Sequence, residues 1–219
     1  MLFLPISLLF FLILIVILPV LLIFIPIHLI GIAFQKLGLS TEAGFAFFIL
    51  SLLGSTINVP LKEEICEEKS SSSPLMKIFF GQIPIPARKK VLAINLGGAI
   101  IPALLAVYLL FCKAPLLPTV IATIIMIVIT KFLARPVPNV GVAIPAFIPP
   151  ICAVLLAWLL SHQNPAPTAF VSGVLGTLIG ADLLNLGKLR KMSCGVMSIG
   201  GAGVFDGIYL VGIISVLLA

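Results

Sequence analysis

Asp182 and Asp206 are the only aspartates in this 219-residue chain, and each lies inside an apolar run: GTLIGADLLNLGKLR (176–190) and SIGGAGVFDGIYLVGIISVLLA (198–219). A charged side chain at the centre of a bilayer costs about 3 kcal/mol even on the mildest scales, so it is expected to face a protein interior or a wet cavity. Two carboxylates within hydrogen-bonding reach cannot easily both ionise, and they share a proton. One member can then activate water while the other protonates a leaving group, which is the chemistry of an acid–base hydrolase. The same pair could instead bind a proton or cation for transport. A third reading is structural: Asp182 pairs with Lys188 or Arg190, Asp206 caps a helix, and the chain is a membrane subunit without chemistry of its own.

The elements around the pair are set by apolarity. Hydrophobic residues make up 61% of the chain and charged residues 9%, far from soluble globular composition. Runs of about 20 apolar residues are long enough to cross a hydrocarbon core about 30 Å thick. The expected fold class is all-α, a single polytopic membrane domain over 1–219. Seven spans can be drawn, at 3–33, 43–59, 91–112, 115–133, 142–160, 167–187 and 197–218. The first two form an N-terminal pair (1–59), and residues 60–90 form a cytoplasmic polar loop. The last five spans (91–219) form the core that carries the aspartates. Within the loop, LKEEICEEKSSSSPLMK (61–77) holds four of the five glutamates and reads as mobile and exposed. IFFGQIPIPARKK, which follows it, is placed at the interface. The first run has no basic leader and is too long for a signal peptide, so it reads as a retained helix, tilted or kinked at Pro19 and Pro26.

Basic residues orient this layout. The loops after spans two, four and six carry Lys62, Lys69, Lys77, Arg88, Lys89, Lys90, Lys131, Arg135, Lys188, Arg190 and Lys191, which is 11 of the 13. Only Lys36 and Lys113 fall opposite. The positive-inside rule makes the 11 cytoplasmic, so the expected location is the cell membrane with the N-terminus cytoplasmic and the C-terminus external. Spans six and seven are then antiparallel, with Asp182 roughly 9 Å within the cytoplasmic boundary and Asp206 one to two turns into its helix. Gly176-x-x-x-Gly180 and Gly203-x-x-x-Gly207 give both helices small faces for close packing. Asn185, one turn after Asp182, and Tyr209, three residues after Asp206, are placed to orient the carboxylates.

LARPVPNVGVAIPAFIPP (133–150) has five prolines in 18 residues and cannot form a regular helix. Irregular backbone at membrane depth must be covered by protein or line a wet cavity. The stretch near 136–149 therefore reads either as a partly re-entrant entry to span five or as a proline-rich interfacial turn. In the first reading Pro136, Pro138, Asn139 and Pro145 are candidates to line the same cavity as the aspartates. An internal echo spans 84–187: IPIPARKK…KAPLLPT is followed about 50 residues later by RPVPNV…NPAPT. It suggests either a duplicated helical hairpin or a shared bias toward Ala, Leu and Pro. The four cysteines and two histidines show no metal-ligand spacing, so no metal and no cofactor is expected. The net charge of +6 is spent on orientation, which argues against nucleic acid as a partner. Lipid, and membrane-embedded peptides as substrates, are the expected partners.

Three blocks together, ARPVPNVGVAIPAFIPP, GTLIGADLLNLGKL and SIGGAGVFDGIYL, resemble a prokaryotic integral-membrane family classed as a domain of unknown function, over roughly residues 85–219. More loosely, the aspartate pair resembles the GxGD intramembrane aspartyl proteases, which carry one aspartate on each of two successive helices near one membrane face. That resemblance implies Asp182 and Asp206 as a catalytic dyad, with Gly180, Asn185, Gly203, Gly207 and Tyr209 in support. Here Asp206 falls two residues later than the motif requires, and Ala181 stands where the protease motif has tyrosine. The Pro102-Ala103-Leu104 triplet precedes the aspartates, whereas in presenilins its counterpart follows them.

Overall fold

The computed structural model describes residues 6–66, 88–137, 141–188, 196–201 and 207–219. It begins with helix α1 (Ile6–Lys36), followed by α2 (Thr41–Gly54). Gly38 ends α1 at φ +73°, a left-handed conformation open to glycine. The Leu39 amide closes the turn on the Phe34 carbonyl at 3.1 Å. Ser40 then caps α2, its Oγ accepting the Ala43 amide at 3.2 Å. Phe24–Lys36 and α2 form a pair bent by 115°.

Strand β1 (Asn58–Cys66) follows α2 and pairs antiparallel with β2 (Arg88–Asn95). Helix α3 (Leu96–Cys112) starts in a π turn at Leu96–Ile100, and α4 is Leu116–Leu133. A short hairpin joins β3 (Arg135–Val137) to β4 (Gly141–Ala143) and leads into α5 (Ile148–Leu160). Helix α6 (Pro165–Lys188) is interrupted by a π turn at Leu178–Asp182 and a 3-10 turn at Leu183–Asn185. Strand β5 (Val196–Ile199) then adds parallel to β2, and α7 (Gly207–Leu218) ends the chain. The sheet order is β1-β2-β5.

The core is built around α6. Residues Ala166–Val174 are all buried, and α3, α4, α5 and α7 pack on this helix. The outer helix faces carry exposed large apolar side chains, among them Leu104, Phe132 and Leu155. Apolar surface this extensive belongs against lipid or partners rather than water.

The sequence expectation of seven spans and an all-α fold needs correction. The chain is mostly helical, but a three-stranded sheet replaces the ends of three expected spans (43–59, 91–112 and 197–218) and both ends of the expected polar loop. The expected span at 43–59 gives way to a helix that stops at Gly54, because Asn58–Cys66 is extended and bonded to β2. The expected span at 91–112 becomes helical only at Leu96. Among the described residues two helices, Leu116–Leu133 and Pro165–Lys188, are long and apolar enough to cross a membrane, and a third span is formed if the bent Phe24–Lys36 and Thr41–Gly54 pair counts as one. The apolar helices α3, α5 and α7 are shorter: the 13 residues of α5 rise about 20 Å against a core of about 30 Å. The proline-rich stretch resolves into the β3–β4 hairpin and the start of α5, with Pro149 and Pro150 at the beginning of the helix, where proline is tolerated.

Several polar links fix the two ends of this bundle. Lys36 Nζ donates to the Leu217 carbonyl at 3.1 Å, and the Lys113 side chain lies beside Gly38. Asn164 Nδ2 donates to the Lys113 carbonyl at 3.1 Å. The turns expected to share one membrane side therefore meet at one end, and the sheet lies at the other. The two echoed hairpins also touch at equivalent points: Thr119 Oγ1 and Thr168 Oγ1, each following a proline, lie 2.9 Å apart. α4 packs on α6, α3 on α6 and α5 on α4, the pattern that exchange of two hairpins would give. The symmetry is partial, since α5 packs broadly on α6 and α3 only slightly on α4.

Candidate functional site

Asp182 is the last residue of the π turn in α6. Such turns open the regular ladder and are frequent at functional sites. This one is packed against α4. A Cβ at Gly180 would overlap Thr130 Oγ1 and the Ile127 carbonyl oxygen, and one at Gly176 would overlap Met126 Cβ. Glycine at both positions lets α6 lie directly on α4, where Thr130 Oγ1 donates to the Gly176 carbonyl at 2.8 Å. The Gly176/Gly180 face therefore receives α4. The expectation that it would receive the seventh helix does not hold among the described residues.

Contact between α6 and α7 uses other glycines. A Cβ at Gly173 would sit 3.2 Å from Val211 Cγ1, and one at Gly212 would sit 2.7 Å from Val174 Cγ2 and 2.8 Å from Phe170 Cε2. Extending that antiparallel register puts Gly207, the first residue of α7, level with Thr177, about 8 Å along the axis from Asp182. Among the described residues nothing lies within 4 Å of a Cβ at Gly207. Thr177 is buried, and its Oγ1 has no hydrogen-bond partner among the described residues. A buried hydroxyl in that state marks a place for water or a further polar group.

The Asp182 carboxylate is directed at the end of β5. Its Oδ2 accepts the Gly200 amide at 3.0 Å. Gly200 and Gly201 have φ of +78° and +84°, so this turn requires glycine twice. A Cβ at Gly200 would also lie 2.5 Å from Ala99 Cβ, since the turn is seated on the π turn that opens α3. Next to the carboxylate is a small pocket lined by Leu92, Val142, Leu186, Met197, Ser198 and Ile199, with about 20 Å³ of space open to water. That is room for about one water molecule.

A polar network supports the same turn. Buried Asn95 caps the π turn by accepting the Gly98 amide at 2.7 Å, and its Nδ2 donates to the Ser55 carbonyl at 2.6 Å and Asn58 Oδ1 at 3.1 Å. Ser198 Oγ donates to the same Asn58 oxygen at 2.6 Å. Ser51 Oγ donates to the Gly97 carbonyl at 2.5 Å, joining α2 to the assembly. Sequence reasoning misses Asn58, Asn95 and Ser198. The signal that could have found them is an asparagine immediately before LGG, a capping position.

The remaining expected site residues divide as follows. Asp206 and Gly203 lie outside the described residues, as do Pro138 and Asn139. Asn185 is buried, but its Nδ2 donates to the carbonyls of Ala181 (2.9 Å) and Gly180 (3.4 Å). It satisfies backbone groups loosened by the π turn. Tyr209 is buried and lies 6.2 Å, centroid to centroid, from the Phe48 ring. Pro136 is in β3, paired with Val142, and Pro145 is exposed. The proline-rich segment reaches the Asp182 pocket through Val142. Among the described residues no group of His, Cys, Asp and Glu is placed to hold a metal ion.

Residues 52–218 match the family described as protein of unknown function, DUF1614. The chain belongs to that family. The match runs from the second half of α2 through α7 and so includes the sheet, Asp182 and Asp206. No curated protein and no solved structure matches the chain.

Proposed function

We propose that this chain is a multi-pass cell-membrane hydrolase in which Asp182 and Asp206 form an aspartyl dyad acting on an extended segment of a membrane-embedded peptide. The observation that carries the reading is the 3.0 Å bond from the Gly200 amide to Asp182 Oδ2. It ties one carboxylate to the backbone segment that leads, six residues later, into the second aspartate. Two further features support it. The adjoining pocket has room for a hydrolytic water. β5 pairs with β2 on one side, and among the described residues no strand pairs with its other edge. An open edge is a template for an extended peptide, whose backbone amides and carbonyls would complete the ladder.

In the reaction, the ionised carboxylate takes a proton from water as the oxygen adds to the peptide carbonyl. The protonated partner then gives its proton to the departing nitrogen as the C–N bond breaks, leaving a carboxylic acid and an amine. Gly200 holds Asp182 through one oxygen and leaves the other for the water. The proposed orientation places the sheet and Asp182 on the cytoplasmic side, with the N-terminus inside and Ala219 outside.

The test uses purified wild type, Asp182→Asn, Asp206→Asn and the double variant, measured for thermal stability and for cleavage of a panel of single-span substrates. A dyad acts as a unit, so each single variant should abolish cleavage and the double should be little worse. Stability should be retained, because Asn keeps the shape and can still accept the Gly200 amide. Wild type that cleaves nothing but takes up protons or cations, with uptake lost in both single variants, would favour a transporter. Unfolding of both single variants, with neither activity in wild type, would make the aspartates structural.

A further inference from the structure

The end of the bundle away from the sheet holds a much larger cavity than the one beside Asp182. It has a volume of about 530 Å³ and lies between the α3–α4 and α5–α6 turns, within the range of small-molecule sites. Phe111 and Leu160 supply apolar walls, and Lys113, His162, Gln163 and Asn164 supply polar ones; among the described residues no carboxylate lines it. Lys113 and His162 stand 49 residues apart, the same interval as Thr119 and Thr168, so each hairpin contributes one basic side chain from an equivalent position. The frame is bonded across the gap by Asn164 Nδ2 to the Lys113 carbonyl, and within its own turn by Ser161 Oγ to the Asn164 carbonyl at 3.1 Å. Helices α4 and α6 both begin here and present their positive ends. The helix surface is apolar right up to the rim: Phe111 is 73% exposed, Leu117 72% and Leu159 71%.

We propose that this pocket binds the phosphate headgroup of an anionic phospholipid, with the acyl chains lying along the apolar surface at Phe111, Leu117 and Leu159. Lys113 supplies a point charge to the phosphate, and His162 and Gln163 supply N–H donors. A cationic, carboxylate-free cup at the end of lipid-facing helices complements an anionic headgroup above hydrocarbon chains. A soluble anion would have no use for the apolar rim. The inference needs a bilayer but not the aspartate chemistry, so it stands or falls separately from the hydrolase reading.

Trp158 is the only tryptophan in the chain, half-exposed on α5 two residues before Leu160, and so serves as a built-in probe. Full-length wild type is reconstituted in phosphatidylcholine vesicles containing increasing fractions of either brominated phosphatidylglycerol or brominated phosphatidylcholine, and Trp158 quenching is measured. Phosphatidylglycerol should be preferred about fivefold, the contribution of one lysine near an anionic surface. Lys113→Gln should bring the preference close to one, whereas Lys131→Gln, at the far end of α4, should leave it intact. Inorganic phosphate added at constant ionic strength should not displace the lipid. Equal quenching by the two lipids in wild type overturns the proposal, and that comparison requires no variant to fold. An equal loss in Lys131→Gln, or displacement by phosphate alone, overturns it too.

Discussion

Gly180→Ala should destabilise the bundle by about 2 kcal/mol, although alanine is the better helix former. The added Cβ would overlap Thr130 Oγ1 and the Ile127 carbonyl oxygen and come to 3.0 Å from Ile127 Cα. Two of these atoms are backbone, so no rotamer change relieves the clash, and α4 must move away. Overpacking of this kind costs about 1–3 kcal/mol, and backbone obstruction favours the upper part of that range. Separation also strains the Thr130 Oγ1 bond to the Gly176 carbonyl, and interhelical bonds in membranes contribute about 0.6 kcal/mol. Against this, Gly→Ala in a helix gains about 1 kcal/mol. The control is Gly187→Ala on the same chain segment, where no described residue lies within 4 Å of a Cβ; only the gain applies there, and stability should be equal or slightly raised. Unfolding is followed by far-ultraviolet circular dichroism in mixed micelles of rising dodecyl sulfate fraction. If Gly180→Ala is as stable as wild type, or Gly187→Ala loses as much as Gly180→Ala, the glycine seam between α4 and α6 is not what holds the broken helix in place.

Gly200→Ala should cost at least about 2 kcal/mol in the same assay, because a left-handed φ of +78° adds about 1–2 kcal/mol for alanine and its Cβ would meet Ala99. Asn95→Ala should cost about 2–3 kcal/mol, since it removes a helix cap and two further bonds from a buried site; Asn95→Asp should not rescue it, because the Ser55 carbonyl needs a donor. A double-mutant cycle of Thr119→Val and Thr168→Val should give a coupling of about 0.6 kcal/mol, and additive single losses would remove the proposed contact between hairpins. Single cysteines at Ser72 and Gln163, the latter exposed in the α5–α6 turn, probed with an impermeant thiol reagent from outside the cell, should label at 163 and not at 72; the opposite pattern reverses the proposed orientation.

The sequence alone determined what is local. Apolar runs mark α1 and α3 to α7 because the helix satisfies its own backbone within one segment, and composition over about 20 residues is enough to show it. The two aspartates stand out for the same reason, as charges where the surroundings offer no water. The DUF1614 family membership follows the blocks around them.

What the tertiary structure decided is pairing. β1 reads as polar loop because its partner, β2, lies more than twenty residues away, and β2 finds β5 a further hundred residues on. A strand's hydrogen bonds are satisfied by whichever segment the fold brings alongside, and no composition window contains both. The glycines show the same limit. Their spacing marked a small face on α6, but only packing chose α4 as its occupant and left Gly173 on α6 and Gly212 on α7 to form the contact between those two helices. The π turn that presents Asp182 to Gly200 occurs where Thr130 and Ile127 of another helix fill the space beside Gly180. Sequence could locate the carboxylate, but its direction was set by which side chains could share one volume.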